Sequence, residues 1–184
     1  MRFNSKDLAL SAVFSSLYAV TVVFQGISAA SIIQLRIADC LIPLAALFGH
    51  PAIIGVSLGC LFGNAYFSSS LQFGFLDILL GPVANFVAAT LIFRFRRSVL
   101  LGCVAGSLAI GLIVGSYLWL LFPPPNTMFG VNLPVWWPPW VLSILSITTS
   151  SLVSLCFLGY ILLQIMRRPG ILEPLKARGL KVYL

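Results

Sequence analysis

The sequence predicts an all-α polytopic membrane protein with six transmembrane helices in a single membrane domain. Of its 184 residues, 60% are hydrophobic and only 8% are charged, and the mean hydropathy is +1.07. A soluble domain carries about 25% charged residues. Because a helix needs about 20 residues to cross the hydrocarbon, six crossings nearly exhaust the chain. This leaves no room for a soluble catalytic or nucleotide-binding domain.

The apolar runs predict where the six helices lie. We expect them at about residues 8–27, 32–48, 51–67, 75–93, 99–121 and 140–166, within a membrane domain of 1–184 that ends in a basic cytoplasmic tail, 167–184. Pro43 predicts a kink in the second helix. In the third helix, Gly55, Gly59 and Gly63 recur every four residues, which is typical of a face for close packing.

The basic residues predict the orientation of the chain. With the N-terminus inside, six crossings place ten of the eleven basic residues in the cytoplasm, as the positive-inside rule requires. The exception is Arg36. The sequence therefore predicts that both termini are inside. The ten residues are Arg2, Lys6, Arg94, Arg96, Arg97, Arg167, Arg168, Lys176, Arg178 and Lys181.

Polar residues are rare inside the apolar runs, and this orientation brings most of them to one depth. Arg36 and Asp39 are three residues apart and share a helix face. Asn64 and Asp77 fall at the outer ends of the third and fourth helices, and Asn85 lies deeper. Because charges in membrane segments are costly and usually functional, we predict a polar pocket that is open to the outside.

Simpler interpretations of these residues stay open. Arg36 and Asp39 could only neutralise each other, and Asp77 could only satisfy the N-terminus of its helix. Asn64 and Asn85 could form helix–helix hydrogen bonds. The tryptophans before the sixth helix are typical of interface anchors, although one could stack on a flat ligand.

Small residues on the first helix form a possible docking face. Ala12 and Ser16, and Ser15 and Ala19, are spaced by four residues. Such spacing lets another helix approach closely, and that helix could be internal or belong to another subunit.

The chain lacks the residue patterns of an enzyme or a metalloprotein. It has a single histidine, His50, and its four cysteines are scattered with no CxxC, so no metal-ligand spacing is present. The sequence also has no GxxxxGK[ST] motif, so any ATP hydrolysis must come from partner subunits. We predict that the protein is not an enzyme and needs no cofactor.

Three segments resemble the QueT-type family: 34–39, QLRIAD; 51–64, PAIIGVSLGCLFGN; and 76–85, LDILLGPVAN. Members of this family are S-components, the substrate-binding subunits of energy-coupling-factor (ECF) transporters assigned to queuosine precursors. The resemblance implies six helices and uptake of a 7-deazapurine such as preQ0, preQ1 or queuine at a prokaryotic cell membrane. It also implies a transmembrane coupling subunit and two cytoplasmic ATPases as partners. The docking residues on the first helix would be Ala12, Ser15, Ser16 and Ala19.

For such a ligand, a carboxylate of Asp77 or Asp39 could accept two adjacent N–H donors, and Arg36 could donate to a carbonyl. Other ligands remain open, namely another vitamin or nucleobase, as does a stand-alone secondary carrier; a small intramembrane enzyme is less favoured. The predicted substrate-binding residues are Gln34, Arg36, Asp39, Asn64, Asp77, Asn85, Trp137 and Trp140.

Overall fold

The computed structural model describes residues 4–28, 36–68, 74–121, 127–128, 131–132 and 138–183. These ranges are helical except for turns and one antiparallel pair of two-residue strands, β1 and β2. The helices are α1 (Ser5–Ser28), a 3₁₀ helix (Ile37–Leu44), α2 (Ala45–Phe48), α3 (His50–Ser68), α4 (Gly74–Arg94), a 3₁₀ turn (Arg96–Ser98), α5 (Val99–Leu118), α6 (Pro139–Leu152), a π-helical segment (Val153–Gly159), α7 (Tyr160–Met166) and α8 (Pro169–Ala177); β1 is Thr127–Met128 and β2 is Val131–Asn132.

Four of the described helical stretches are long and apolar enough to cross a membrane. They are Ser5–Gln25, Gly74–Arg94, Arg96–Leu118 and Pro139–Met166, and Ile37–Phe48 is a shorter apolar helix. Large apolar side chains cover the outside of the bundle; for example, Leu101 is 64% exposed and Phe157 is 62% exposed. A surface of this kind is stable against lipid or a partner rather than water. The fold is therefore that of a multi-pass membrane protein, and the count of six crossings stays a prediction.

The 3₁₀ helix Ile37–Leu44 lies at the centre of the bundle. It contacts α1, α3, α4, α7 and the π-helical segment, and both Asp39 and Ile42 are fully buried. We expected one kinked α-helix over 32–48, of which 32–35 lie outside the described residues. The observed helix is tighter than expected up to Leu44. Pro43 lacks the N–H that an α-helical bond would use, and a 3₁₀ helix is slimmer and fits between longer helices.

The 3₁₀ helix Ile37–Leu44 packs against a wider helix, the π-helical segment Val153–Gly159. The π-helical segment that follows α6 packs on the 3₁₀ helix at Gly159, where a Cβ would lie 2.6 Å from Pro43 Cγ and 2.9 Å from the Cys40 carbonyl oxygen. Glycine is needed here because any side chain would meet backbone. The close approach positions α6 beside the residues at the start of the 3₁₀ helix.

The glycine repeat of α3 packs against α1. A Cβ on Gly55 would lie 2.7 Å from the Ser11 carbonyl oxygen, and one on Gly59 would lie 2.6 Å from the Ser15 carbonyl oxygen. Gly63 packs in the same way on Val22. The structure thus confirms that the repeat serves helix packing, and it brings α1 within reach of the central helix.

The C-terminal segment closes one end of the bundle, which we call the basic end. We expected only a basic tail over 167–184, but the chain forms α8 and then folds back. The Lys6 ammonium donates to the Arg178 carbonyl oxygen at 2.8 Å, and the Tyr183 N–H donates to the Leu47 carbonyl oxygen at 2.8 Å. The Tyr183 ring also packs edge-on against Phe93.

We predict that Gly55→Ala destabilises the protein, because the new Cβ would lie 2.5 Å from Phe14 Cβ and 2.7 Å from a backbone oxygen. Overpacking of this kind costs about 1–3 kcal/mol. The matched control is Gly170→Ala in α8, where nothing lies within 4 Å of the added Cβ. Thermal unfolding of both purified variants in detergent checks this. Equal melting temperatures for the two variants would contradict the packing role.

Candidate functional site

An ion pair lies at the start of the central 3₁₀ helix. Arg36 Nε is 3.1 Å from Asp39 Oδ2, and the Asp39 side chain is fully buried. Residues three apart lie nearly above one another in 3₁₀ geometry, and the Asp39 N–H donates to the Arg36 carbonyl oxygen at 3.0 Å. The Arg36 N–H in turn donates to Ser150 Oγ of α6 at 3.2 Å. The pair is therefore anchored to α6.

A tyrosine of α1 completes the surroundings of Asp39. The Tyr18 hydroxyl donates to Asp39 Oδ1 at 2.5 Å, and Tyr18 is fully buried. One carboxylate oxygen thus meets a phenol and the other faces a guanidinium. Asp39 thus interacts with Tyr18 of α1 on one side and with Arg36 on the other. The glycine repeat of α3 lets α1 approach closely enough for the Tyr18 contact.

The second carboxylate, Asp77, is bound in a similar way from α5 and α3. It lies in the first turn of α4 and is 9% exposed. The Tyr117 hydroxyl donates to Asp77 Oδ1 at 2.9 Å. Asn64 Nδ2 donates to the Asp77 carbonyl oxygen at 2.9 Å and lies 3.5 Å from Cys60 Sγ. The expected helix–helix role of Asn64 is therefore observed, and it ties α3 to α4.

The two carboxylates belong to one electrostatic cluster. The 3₁₀ helix that follows Arg36 packs on α3 and α4, which places the Arg36 guanidinium within electrostatic range of Asp77 as well as of Asp39. Because these interactions join α1, the 3₁₀ helix, α3, α4 and α5, the cluster lies where five elements meet. We call it the carboxylate site, and it consists of Tyr18, Arg36, Asp39, Asn64, Asp77 and Tyr117.

Asn85 lies eight residues beyond Asp77 on α4, about 12 Å along the helix. It is fully buried, and neither atom of its amide has a hydrogen-bond partner among the described residues. The same holds for the hydroxyls of Ser151 and Ser154. A buried polar group without a partner costs about 1–3 kcal/mol. These groups would therefore gain from a polar ligand or from water.

The packing of α5 shows that these unpartnered groups lie at similar depth. A Cβ on Gly106 would lie 3.4 Å from Ala88 of α4 and 3.3 Å from Leu155 of the π-helical segment. Asn85 precedes Ala88 by less than one turn, and Ser154 directly precedes Leu155. Asn85 of α4 and Ser154 of the π-helical segment thus lie close to the residues that pack on Gly106 of α5.

Of the two tryptophans predicted to cover the ligand, Trp140 lies in the part of the chain that the structure describes. Trp140 lies at the start of α6 and is 50% exposed. It precedes Ser150, the neighbour of Arg36, by ten residues, or about 15 Å along the helix. This position suits an interface anchor. Gln34 and Trp137 lie outside the described residues.

The four predicted docking residues line a groove between α1 and α3. Ala12 and Ser16 are exposed and Ala19 is half-buried, whereas Ser15 is largely buried and packs its backbone on Gly59. The groove has a volume of about 400 Å³, and its walls are Leu8, Ser11, Ala12, Ser15, Ser16, Ala19, Ile54, Leu58 and Phe62.

The sequence analysis missed Tyr18, Tyr117 and Ser150. A signal existed for the tyrosines, because a phenol inside an apolar span needs a partner for its hydroxyl. Their partners lie 21 and 40 residues away along the chain, so spacing could not reveal the pairs.

A protein-family model described as QueT transporter matches residues 8–168. The chain belongs to the QueT transporter family. The match extends from α1 beyond α7 and includes all six residues of the carboxylate site, which confirms the resemblance noted in the sequence. This QueT family member is therefore a membrane transporter. No curated protein and no solved structure matches the chain.

We predict that Tyr18→Phe lowers the stability of this QueT family member, because buried Asp39 Oδ1 loses its hydroxyl donor. An unsatisfied buried acceptor costs about 1–3 kcal/mol, and more when it is charged. Tyr66→Phe is the matched control, since Tyr66 is 72% exposed. Chemical unfolding of both variants in mixed micelles measures the difference. If Tyr18→Phe unfolds like Tyr66→Phe, the phenol does not hold Asp39.

Proposed function

We propose that this protein is the substrate-capture subunit of an ATP-driven ECF importer and that it binds a queuosine precursor, a 7-deazapurine. The observation that carries the proposal is the carboxylate site. Two aspartates, each bound by a tyrosine, lie with one arginine inside the bundle of a transporter. Charged side chains in a membrane domain are expensive and mark substrate or ion sites by default.

The two aspartates differ in what they offer a ligand. Asp39 is fully enclosed, and its oxygens meet Tyr18 and Arg36. Asp77 keeps the small exposure that Asp39 lacks. We therefore assign Asp77 to the guanine-like edge of the 7-deazapurine, whose adjacent N–H groups a carboxylate can accept. In this assignment Asp39 and Arg36 form the electrostatic wall of the pocket.

The amide of Asn85 supports a second contact. It carries donors and an acceptor, and it has no partner among the described residues. A site with buried polar groups rejects ligands that leave them unpaired. Asn85 would therefore favour ligands with a polar substituent that reaches inward. Gln34, Trp137 and Trp140 stay candidates for the outer part of the pocket.

The transport cycle requires partners. In this proposal the chain crosses a prokaryotic cell membrane six times with both termini inside, and the carboxylate site opens outward. The sequence has no P-loop motif, so two cytoplasmic ATPases supply the energy through a transmembrane coupling subunit. The groove between α1 and α3 fits this subunit, because its small residues let a helix approach closely.

We predict that Asp77→Asn weakens binding of 7-deazaguanine ligands by about 100-fold or more, because charge-assisted hydrogen bonds contribute about 1.5–3 kcal/mol each. Asp7→Asn is the matched control: it is equally buried but lies at the basic end, where it accepts from the Asn4 N–H. Titration calorimetry in detergent gives the affinities, and gel filtration confirms folding.

Three outcomes would redirect the proposal. Equal affinity of wild type and Asp77→Asn would exclude recognition by this carboxylate. Binding of a different vitamin or nucleobase, with no 7-deazapurine binding, would favour an S-component for that ligand. Uptake into vesicles that lack any ATPase would favour a stand-alone carrier.

We also predict that Ser16→Leu reduces co-purification with the coupling subunit by about tenfold, because the larger side chain fills the groove. Thr90→Leu is the control, since Thr90 is exposed on α4 and lies outside the groove. Pull-down from membranes that contain the whole importer measures the effect. Equal recovery of both variants would show that the subunit docks elsewhere.

A further inference from the structure

The basic end concentrates positive charge far along the chain from the carboxylate site. Nine of the chain's eleven basic residues lie there, against two acidic residues, Asp7 and Glu173. Asp7 is buried and accepts a hydrogen bond from the Asn4 N–H, whereas Glu173 is exposed. The surface of this end is therefore strongly positive. The nine basic residues are Lys6, Arg94, Arg96, Arg97, Arg167, Arg168, Lys176, Arg178 and Lys181.

These cations are not neutralised by the protein. The salt bridge that the described residues form lies in the carboxylate site, and none of the nine is paired with a described carboxylate. Lys6 donates to a backbone oxygen, that of Arg178. Arg167 Nε is buried and has no hydrogen-bond partner among the described residues, which is costly for a donor. An anion that binds this end would therefore meet cations that are still free to pair.

The cations are held in place by folded structure. Leu172 of α8 is 6% exposed, and Leu175 and Val182 pack against the core. The Tyr183 N–H donates to the Leu47 carbonyl oxygen, which fixes the end of the chain to the bundle. Binding of a ligand by the cations on and around α8 thus does not first have to order the backbone.

The positive charge lies where the membrane-spanning stretches end. Each of the four described stretches that could cross a membrane has one terminus at this end, at Ser5, Arg94, Arg96 or Met166. A basic residue stands at or next to each of these four positions. Because the hydrocarbon layer gives way to headgroups where a span ends, the cations lie at the level of lipid phosphates.

Exposed apolar side chains lie between these cations. Phe95 stands between two arginines and is 45% exposed, and Ile165 and Ile171 flank Arg167 and Arg168 and are 41% and 36% exposed. A soluble polyanion would match the charge but leave these apolar side chains in water. An anionic phospholipid offers phosphate to the cations and acyl chains to their apolar neighbours. The surface therefore fits a lipid better than a soluble partner.

We propose that the basic end is a binding surface for the phosphate headgroups of anionic phospholipids. Arg97 and Arg168 are exposed, and a guanidinium can bind a phosphate through two parallel N–H donors. The buried Arg167 Nε offers a further donor. Bound lipid stabilises the end that α8 closes. The proposal needs only a membrane protein and is independent of the solute that the carboxylate site binds.

Native mass spectrometry of the purified full-length protein tests the proposal. The protein in detergent is titrated with phosphatidylglycerol or with phosphatidylcholine of the same acyl chains, so that the two probes differ only in the headgroup. We expect phosphatidylglycerol to bind at least about tenfold more tightly, because each cation at the headgroup level contributes about a factor of five in affinity. Equal binding of the two lipids overturns the proposal and leaves the basic end to an acidic protein surface.

A third probe separates a lipid from a soluble phosphate. Glycerol phosphate carries the anionic group of phosphatidylglycerol without its acyl chains. We expect it to bind at least about a hundredfold more weakly than phosphatidylglycerol, because it buries no apolar surface on the exposed side chains of this end. Comparable affinities would identify a soluble phosphate compound as the ligand and overturn the assignment to lipid.

Paired variants test whether the charge of this end causes the preference. We expect Arg97→Gln/Arg168→Gln to lower the preference for phosphatidylglycerol by about fivefold or more. The matched control, Arg97→Lys/Arg168→Lys, keeps both charges and most of the preference. An unchanged preference in the glutamine variant overturns the assignment to this surface. Gel filtration checks folding; if the glutamine variant does not fold, the three probes on the wild type decide alone.

Discussion

Asp39 is a fully buried carboxylate at the centre of a membrane protein. Its neighbours are arranged so that they give this carboxylate a hydrogen-bond donor and a counter-charge. Tyr18 of α1 donates a hydrogen bond to it, Arg36, just before the 3₁₀ helix, forms an ion pair with it, and Ser150 of α6 accepts from the Arg36 N–H. Removing one partner of a buried ion pair costs about 3–5 kcal/mol because the remaining charge is uncompensated. The relative positions of α1, the central helix and α6 are therefore coupled through one side chain.

The glycine repeat and part of the carboxylate site lie on the same helix, α3. One face carries the glycines that let α1 approach, and the position after Gly63 carries Asn64, which belongs to the carboxylate site. Tyr18 reaches Asp39 only because no side chain stands between α1 and α3 at Gly59. Changes in the packing of α1 on α3 will therefore alter the surroundings of Asp39.

Sequence reasoning could predict what depends on local pattern. Composition predicted a helical membrane protein, and the scarcity of charge singled out Arg36, Asp39 and Asp77. It could not predict that a 3₁₀ helix would replace an α-helix at Ile37–Leu44 or a π-helical segment would follow α6, because both depend on the fit between neighbouring elements. The tyrosine partners were also missed, since contacts over 21 and 40 residues arise only from tertiary structure.

The contact between Lys6 and Arg178 joins positions that are 172 residues apart, and this has a consequence for biosynthesis. Helices enter the membrane in the order of synthesis, so α1 must wait until all the intervening segments are inserted before this end can close. Until then, Gly49 and Phe93 lack the ring of Tyr183 that packs against them. Assembly in the membrane therefore has a late step, in which the nascent bundle remains open on the side of its basic residues.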